Sequence, residues 1–379
     1  MLELSWRQVV GRRLARSHLL EPASRRRLVD VVRDVGLIQA QMLSAAELGI
    51  GIRLAQGTVD DVRSELYERR TLVKTWSIRG TLHLVPADEL GLWAAAARGR
   101  TPYWESREWL AKHGLTANRF AAMRRAIADA LDERCLTRAE LADAVTERLG
   151  RAHNRLLSGW GELLHPSSVE GELCFGPPRG ANVTFVRPDQ WAGRWRLYDP
   201  EDARRAVLRR YLAAYGPAKP ADFDRWSGFG RDEARRLFDE LTDELEEVRI
   251  DRVRASLLRQ DAGDFDAEPG GIRLLPQYDA YVIGFRPRDQ LVPEPVKERV
   301  QSDPKGRYET VTGLSPLLVD GVVTGLWRRG KRGKRTTVDV EHVMPLPRGR
   351  RHELAAAVAR VRDFSRLARR PAGVRPSSP

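Results

Sequence analysis

Gln39-Ala40-Gln41 is where residue type and spacing fit their surroundings least. Two carboxamides stand two positions apart inside Val35-Gly36-Leu37-Ile38-Gln39-Ala40-Gln41-Met42, a run that otherwise reads as buried. Each amide offers two N–H donors and a carbonyl acceptor without a charge. Left without partners in such a run, each costs about 1–3 kcal/mol. Either the fold satisfies them or they line a surface that holds something. On a helix, at about 100° per residue, they project about 200° apart. They converge only where a helix is distorted or ends.

A second group is the run Arg328 to Arg335, six cations among eight residues with two glycines. At a hairpin tip it is either a solvated turn or a surface for nucleic-acid phosphate, and Arg328, Arg329, Lys331, Arg332, Lys334 and Arg335 are the expected contacts. A third group is Trp76, Arg79, Thr81 and His83. Here Trp76 is expected in the core, Arg79-Gly80 in a turn, and His83 as a hydrogen-bonded structural histidine. Arg79 is also counted among the DNA-contacting cations. Tyr278-Asp279 and Asp320 could each supply a carboxylate, but turn chemistry explains them better.

Several chemistries leave no trace. There is no His-x-x-x-His or Cys-x-x-Cys pair, no phosphate-binding glycine loop, no dinucleotide fingerprint and no Gly-x-Ser-x-Gly. No metal and no cofactor is expected. Cys135 and Cys174 are the only cysteines and imply no disulfide framework. No signal peptide or membrane-length apolar run is present, so a soluble cytoplasmic protein is expected. The net charge is +13, and only seven of the 65 basic residues are lysine. Such a balance favours a polyanion partner, most often nucleic acid, and arginine suits bidentate phosphate contact.

The elements around these residues repeat. Helices are expected over 4–20, 24–56 and 59–69 from apolar spacing, followed by a hairpin over 72–85 turning at Ser77-Ile78-Arg79-Gly80. Helices followed by a ribbon make a winged-helix pattern. It returns after Thr137-Arg138-Ala139-Glu140, a capping box, with helices to Leu149 and over 154–164 and a ribbon over 172–186. A third round runs from Glu201 to Gln260. Strands are expected around 272–279, 316–327 and 336–343, with Asp320-Gly321 the strongest hairpin signal and the basic run at the next turn. Residues 286–316 read as irregular and 352–368 as a helix. The expected fold class is α+β, with tandem winged-helix units; that these form a concave basic DNA-binding surface is what the family resemblance given next implies. Its divisions are 1–115 with Gln39 and Gln41, 116–198, 199–265, a β-rich 266–368 with the basic hairpin, and a disordered tail over 369–379.

Together these stretches resemble a known family. Gly36 to Gln41, Trp76 to Val85, Tyr211 to Ala218 with Asp222-Phe223 and Trp226-Ser227-Gly228, Leu275-Pro276 with Tyr278-Asp279, and Val319 to Gly325 with Trp327 stand in an order similar to that of the AlkZ/YcaQ winged-helix DNA glycosylases. The resemblance spans about Trp6 to Leu367. It implies that Gln39 and Gln41 are the two amides of a Gln-Φ-Gln signature, closer to AlkZ than to YcaQ. It implies removal of N7-alkylguanine, unhooking of genotoxin interstrand crosslinks and a role in antibiotic self-resistance. The partner is then double-stranded DNA, alkylated or crosslinked, and a monomer is expected.

An uncharged pair suits that substrate. An N7-alkylated guanine is already cationic, so its departure needs little protonation, and positioning a water below C1′ is the main demand. No lysine neighbours the motif in sequence, which argues against an imine-forming lyase step. A winged-helix transcription regulator without catalysis explains the charge and the ribbons equally well, but it has no need of the two glutamines. An RNA-binding protein is the further alternative.

Overall fold

The computed structural model describes residues 1–150, 161–193, 195–196, 198–302, 311–332 and 335–366. The described residues form a mixed α+β structure with three sheets. The largest has six strands: β2 (Ile38–Gln39), β3 (Leu72–Trp76), β4 (Leu82–Pro86), β5 (Leu136–Thr137), β6 (Cys174–Phe175) and β7 (Thr184–Val186), in the order β2-β4-β3-β6-β7-β5. One pair, Lys74 opposite Phe175, joins the first ribbon to the second.

The N-terminal strand β1 (Leu2–Leu4) lies parallel to β8 (Leu245–Ile250), which pairs with β9 (Val253–Leu258). The third sheet runs β10 (Ile272–Leu274), β11 (Pro316–Val319), β12 (Val322–Arg332) and β13 (Arg335–His342), all antiparallel. Ribbons are thus found at all three expected places, and the capping box at Thr137 and Glu140 is formed.

Four expectations change. Residue 4 closes a strand, and the first helix is Trp6–Arg16, started by a Ser5–Gln8 capping box. The helix over 24–56 is broken. It becomes Leu28–Asp34, an extended piece at Gln39, and Leu43–Gly51. Gly36 causes the break: its φ of +81° belongs to the left-handed region, where a side chain is strained. Beyond it the chain pairs with β4, with Ile38 opposite Leu84 and Gln39 opposite His83. The segment 286–316 is not uniformly irregular, because Glu294–Gln301 is a helix with Pro295 in its first turn. The basic run is mostly strand rather than turn: Arg328 to Arg332 lie in β12 and Arg335 opens β13. Residues 333–334, and with them Lys334, lie outside the described residues, as do 154–160 of the helix expected at 154–164 and the tail 369–379.

Two side-chain systems fix the centre. The helix Pro200–Tyr215 buries Tyr211 and Tyr215 completely, and both pack against Trp226, with the Tyr211–Trp226 ring centroids 5.0 Å apart. Arg53 and Asp279 form an ion pair at 2.8 Å through both oxygens, with neither side chain exposed. Asp279 also caps the helix Ala280–Gly284 by accepting from the Tyr281 N–H. Asp279 is therefore a buried counter-ion and not simply a turn residue. Among the described residues, no helix is long and apolar enough to cross a membrane.

Candidate active site

Gln39 sits at the edge of the six-stranded sheet. Alternate residues of a strand face opposite sides. Ile38 and Ala40 are buried against the helices of the first hundred residues, while Gln39 points to the other face with its cross-strand neighbours His83 and Thr75. Pairing continues one residue past β2, since the Ala40 N–H donates to the Leu82 carbonyl at 2.7 Å. Extended backbone at Gln39 thus replaces the helix on which the two amides would diverge by about 200°. Gln39 is half-buried and Gln41 exposed at the bend before Leu43–Gly51.

Around Gln39 is a cavity of about 10 Å3, lined by Leu37, Gln39, Arg79, His83, Trp226 and Ile283 among others. That is the lower limit for one ordered water. His83 is 1% exposed, and its Nδ1 lies 3.0 Å from the Thr81 carbonyl. A carbonyl only accepts, so Nδ1 carries the proton and Nε2 is a bare acceptor. Burial, and then the Arg79 charge, hold the His83 pKa well below its ordinary value. It is a neutral structural histidine, as its sequence context indicates.

Arg79 is the residue whose direction the sequence does not reveal. It adopts φ +59° beside Gly80 in the β3–β4 turn. Its guanidinium folds back onto the sheet, donates to the Trp226 carbonyl, and approaches Gln39 Oε1 at 3.4 Å and His83 Nε2 at 3.5 Å. Desolvation lowers its pKa to about 10, so it stays charged at neutral pH.

The motif Trp226-Ser227-Gly228 acts on this arginine. Trp226 supplies the acceptor, and Gly228 ends its helix at φ +73° against Arg79. A Cβ on Gly228 would stand 3.0 Å from Arg79 Cγ. Gly228→Val is expected to cost about 1–2 kcal/mol for the left-handed residue and to slow catalysis by moving Arg79. Gly230, at φ +97° and ψ 151°, is in a region still less open to side chains but has open space at its Cβ, so Gly230→Val should lose stability alone. Thermal melts and turnover of both variants separate the two effects.

Tyr215 completes the frame. Its hydroxyl donates to the Val35 carbonyl at 2.8 Å, tying the helix Pro200–Tyr215 to the segment that leads into Gln39. Asp279 supports the opposite wall, since Ala280 and Ile283 of the helix it caps line the cavity. Tyr215, Arg53 and Ile283 escape sequence reasoning, although the Tyr-rich stretch and Tyr278-Asp279 stand among the matched motifs.

On the Gln41 side an open cleft of about 700 Å3 begins at the next residue. Met42, Ala45 and Leu48 line it from one side, Leu326 and Trp327 from another, and Arg328 and Arg329 border it, both exposed. The structure thus brings two members of the basic run next to the glutamine segment. Lys331, Arg332 and Arg335 are placed by backbone only, in β12 and β13. Among the described residues no cluster of His, Cys, Asp and Glu could hold a metal ion.

A second buried histidine shares the neutral state of His83. His165 lies 2.7 Å from the Tyr103 hydroxyl through Nδ1, and burial lowers its pKa to about 4. An unfolded imidazole binds its proton near pH 6.5, so below that value the unfolded state takes up protons the native state refuses. Stability should be full above about pH 6.5 and fall as pH drops toward 4, by up to about 1.4 kcal/mol per pH unit for each such group. Melting temperatures across this range check the sign, and His165→Gln should flatten the fall.

The geometry has known counterparts. Residues 32–364 match the family model described as DNA glycosylase AlkZ-like. An interstrand DNA cross-link repair glycosylase of Streptomyces sahachiroi is 34% identical over 383 residues, covering 97% of this chain and 99% of that protein. The solved structure of Streptomyces sahachiroi DNA glycosylase AlkZ superposes with a TM-score of 0.78 at 31% identity, over 98% of this chain and 99% of the other. A family match over most of the chain, with a relative and a solved structure alike along nearly their whole length, places it: the chain belongs to the AlkZ-like DNA glycosylases, hydrolases that act on N-glycosyl bonds.

Proposed function

We propose that this glycosylase hydrolyses the N-glycosidic bond of N7-alkylguanine in duplex DNA, including the bonds that must break to unhook an interstrand crosslink, with Gln39 and Gln41 as its catalytic residues. The observation that carries this is the convergence of four distant segments, around residues 39, 79, 226 and 283, on a cavity the size of one water beside an amide. The Streptomyces sahachiroi relative, an interstrand DNA cross-link repair glycosylase, supports the crosslink as substrate, and with it a role in self-resistance to a DNA-alkylating natural product. The three helix-and-ribbon rounds support tandem winged-helix units. Arg328 and Arg329, with Lys331, Arg332, Lys334 and Arg335 on the same hairpin, support a concave basic surface that takes DNA as a monomer. Such an enzyme works on the chromosome in the cytoplasm.

In this reading Gln39 accepts a hydrogen bond from water and directs its oxygen at C1′. The C1′–N9 bond breaks, and its electron pair returns to the cationic purine, which leaves neutral. Water oxygen bonds to C1′ and releases one proton to solvent. The amide dipole faces the developing oxocarbenium charge. Lys74, the one lysine in the six-stranded sheet, pairs across the strands with Leu84 and stands with its Nζ 4.9 Å from the Phe175 ring centre. That is the face opposite Gln39, which supports a monofunctional enzyme without an imine step.

Release of 7-methylguanine from alkylated duplex tests the reading. Wild-type release that Gln39→Ala or Gln41→Ala abolishes, with duplex binding kept, supports it. Equal release by all three proteins overturns the assignment of the site. No release from methylated or crosslinked duplex, with tight binding throughout, overturns the substrate.

A further inference from the structure

The protein neutralises some of its buried and half-buried arginines and leaves others bare. Arg12 is paired with Asp261 at 2.8 Å and Arg53 with Asp279 at 2.8 Å. Among the described residues Arg13, Arg79, Arg286 and Arg288 have no such carboxylate partner, and their hydrogen bonds go to neutral groups. Arg13 donates to the carbonyls of Arg286 and Pro217 at 2.7 and 2.8 Å and stacks over Phe285 at 4.5 Å. It thereby fixes the segment that follows Ala280–Gly284. Arg286 Nη1 reaches only the carbonyl of its own neighbour Phe285, at 3.1 Å, and Arg288 Nη1 reaches Val282. In both, Nε is enclosed without an acceptor. Each Nη2 lacks one among the described residues.

These charges act on one another. Arg286 lowers the pKa of Arg79, of Arg13 and of Arg288, after desolvation, and Arg288 falls to about 9. Asp222 is the carboxylate that acts on Arg286, and exposed Arg225 opposes it. Desolvated like charges without a counter-ion are expensive and persist where something anionic completes them. The cluster starts three residues past Ile283, which lines the Gln39 cavity, and reaches that cavity through Arg79.

We infer that Arg79, Arg286 and Arg288, with Arg225 at the edge, form a subsite for one backbone phosphate of the DNA beside the damaged nucleotide. This rests on DNA being the substrate but not on which base is released. The phosphate has a second role. An uncompensated positive cluster next to Gln39 opposes the cationic lesion and the oxocarbenium-like sugar. A phosphodiester in the subsite cancels that field, so the site becomes competent only once the backbone is seated. The same device discriminates against free alkylated nucleosides, which bring no phosphate.

Single methylphosphonate linkages, which remove one backbone charge at a time, test this in a duplex carrying one lesion. For the wild type, one linkage near the lesion should weaken binding about tenfold and also slow single-turnover release. In Arg286→Met and in Arg288→Met that linkage should no longer matter, and the slope of log K against log salt should fall by about 0.9. Free Arg286→Met should melt no lower than the wild type, since it loses a repelled charge. A linkage profile identical in wild type and variants overturns the subsite, as does a variant that is simply unstable. Normal phosphate dependence with no base released would sink the glycosylase substrate while leaving the subsite standing.

Discussion

Gln39→Ala should lower single-turnover base release on the order of 10²-fold or more while duplex affinity changes little. The amide of Gln39 faces a cavity that admits about one water. Its removal opens that space and takes away the acceptor that, in the proposed mechanism, aims the water. Arg79 then loses its neighbour at 3.4 Å but keeps the Trp226 carbonyl, so the turn should stay in place. Gln41→Ala should also slow release, for a different reason. Gln41 is exposed, and its side chain has no hydrogen bond among the described residues, so its loss should leave the fold untouched and appear only with DNA bound. Equal melting temperatures for wild type and Gln41→Ala, with unequal turnover, are the expected pattern. A Gln41 variant with unaltered turnover would remove it from the machinery.

The largest stability effect should come from Asp279→Ala. It strands a fully buried guanidinium, a change that costs about 3–5 kcal/mol. It also strips the cap from Ala280–Gly284, for about 1 kcal/mol more. Because Ala280 and Ile283 line the cavity at Gln39, activity should fall further than the folded fraction does. The double variant Arg53→Met/Asp279→Leu should recover much of the stability, since an apolar pair of similar volume often replaces a buried ion pair without loss. Denaturant midpoints of the two single variants and the double variant give the coupling directly. Additive losses would mean that the pair is not the source of the effect.

Much of the centre was legible because it is written locally. The glutamine pair, the three ribbons, the capping box at Thr137 and the buried Trp76 follow from patterns a few residues long. The helix expected through 24–56 failed for the opposite reason. Val35 to Met42 satisfies a helical spacing, and only the left-handed Gly36 together with pairing to residues more than forty positions away makes it extended. The fate of charges was least legible. Asp279 reads as a turn carboxylate until Arg53, 226 positions away, is placed beside it. Arg79 reads as outward-facing until Trp226 turns it inward, and nothing in the charged, proline-rich segment after Phe285 marks Arg286 and Arg288 as a group.

The parallel pairing of Leu2–Leu4 with Val248–Ile250 bears on how the chain is made. The strand Leu2–Leu4 has no neighbour in its sheet until some 250 further residues have been made, and Val10 and Leu14 share a core with Val361 and Phe364. Closing so long a loop adds little entropy beyond that of a moderate one, so the penalty is in time. The N-terminal segment waits with an unpaired edge and an apolar helix face until the C-terminal part arrives. A synthesis arrested past the second ribbon should therefore give a chain whose glutamine strand is paired but whose ends are open to proteases and chaperones.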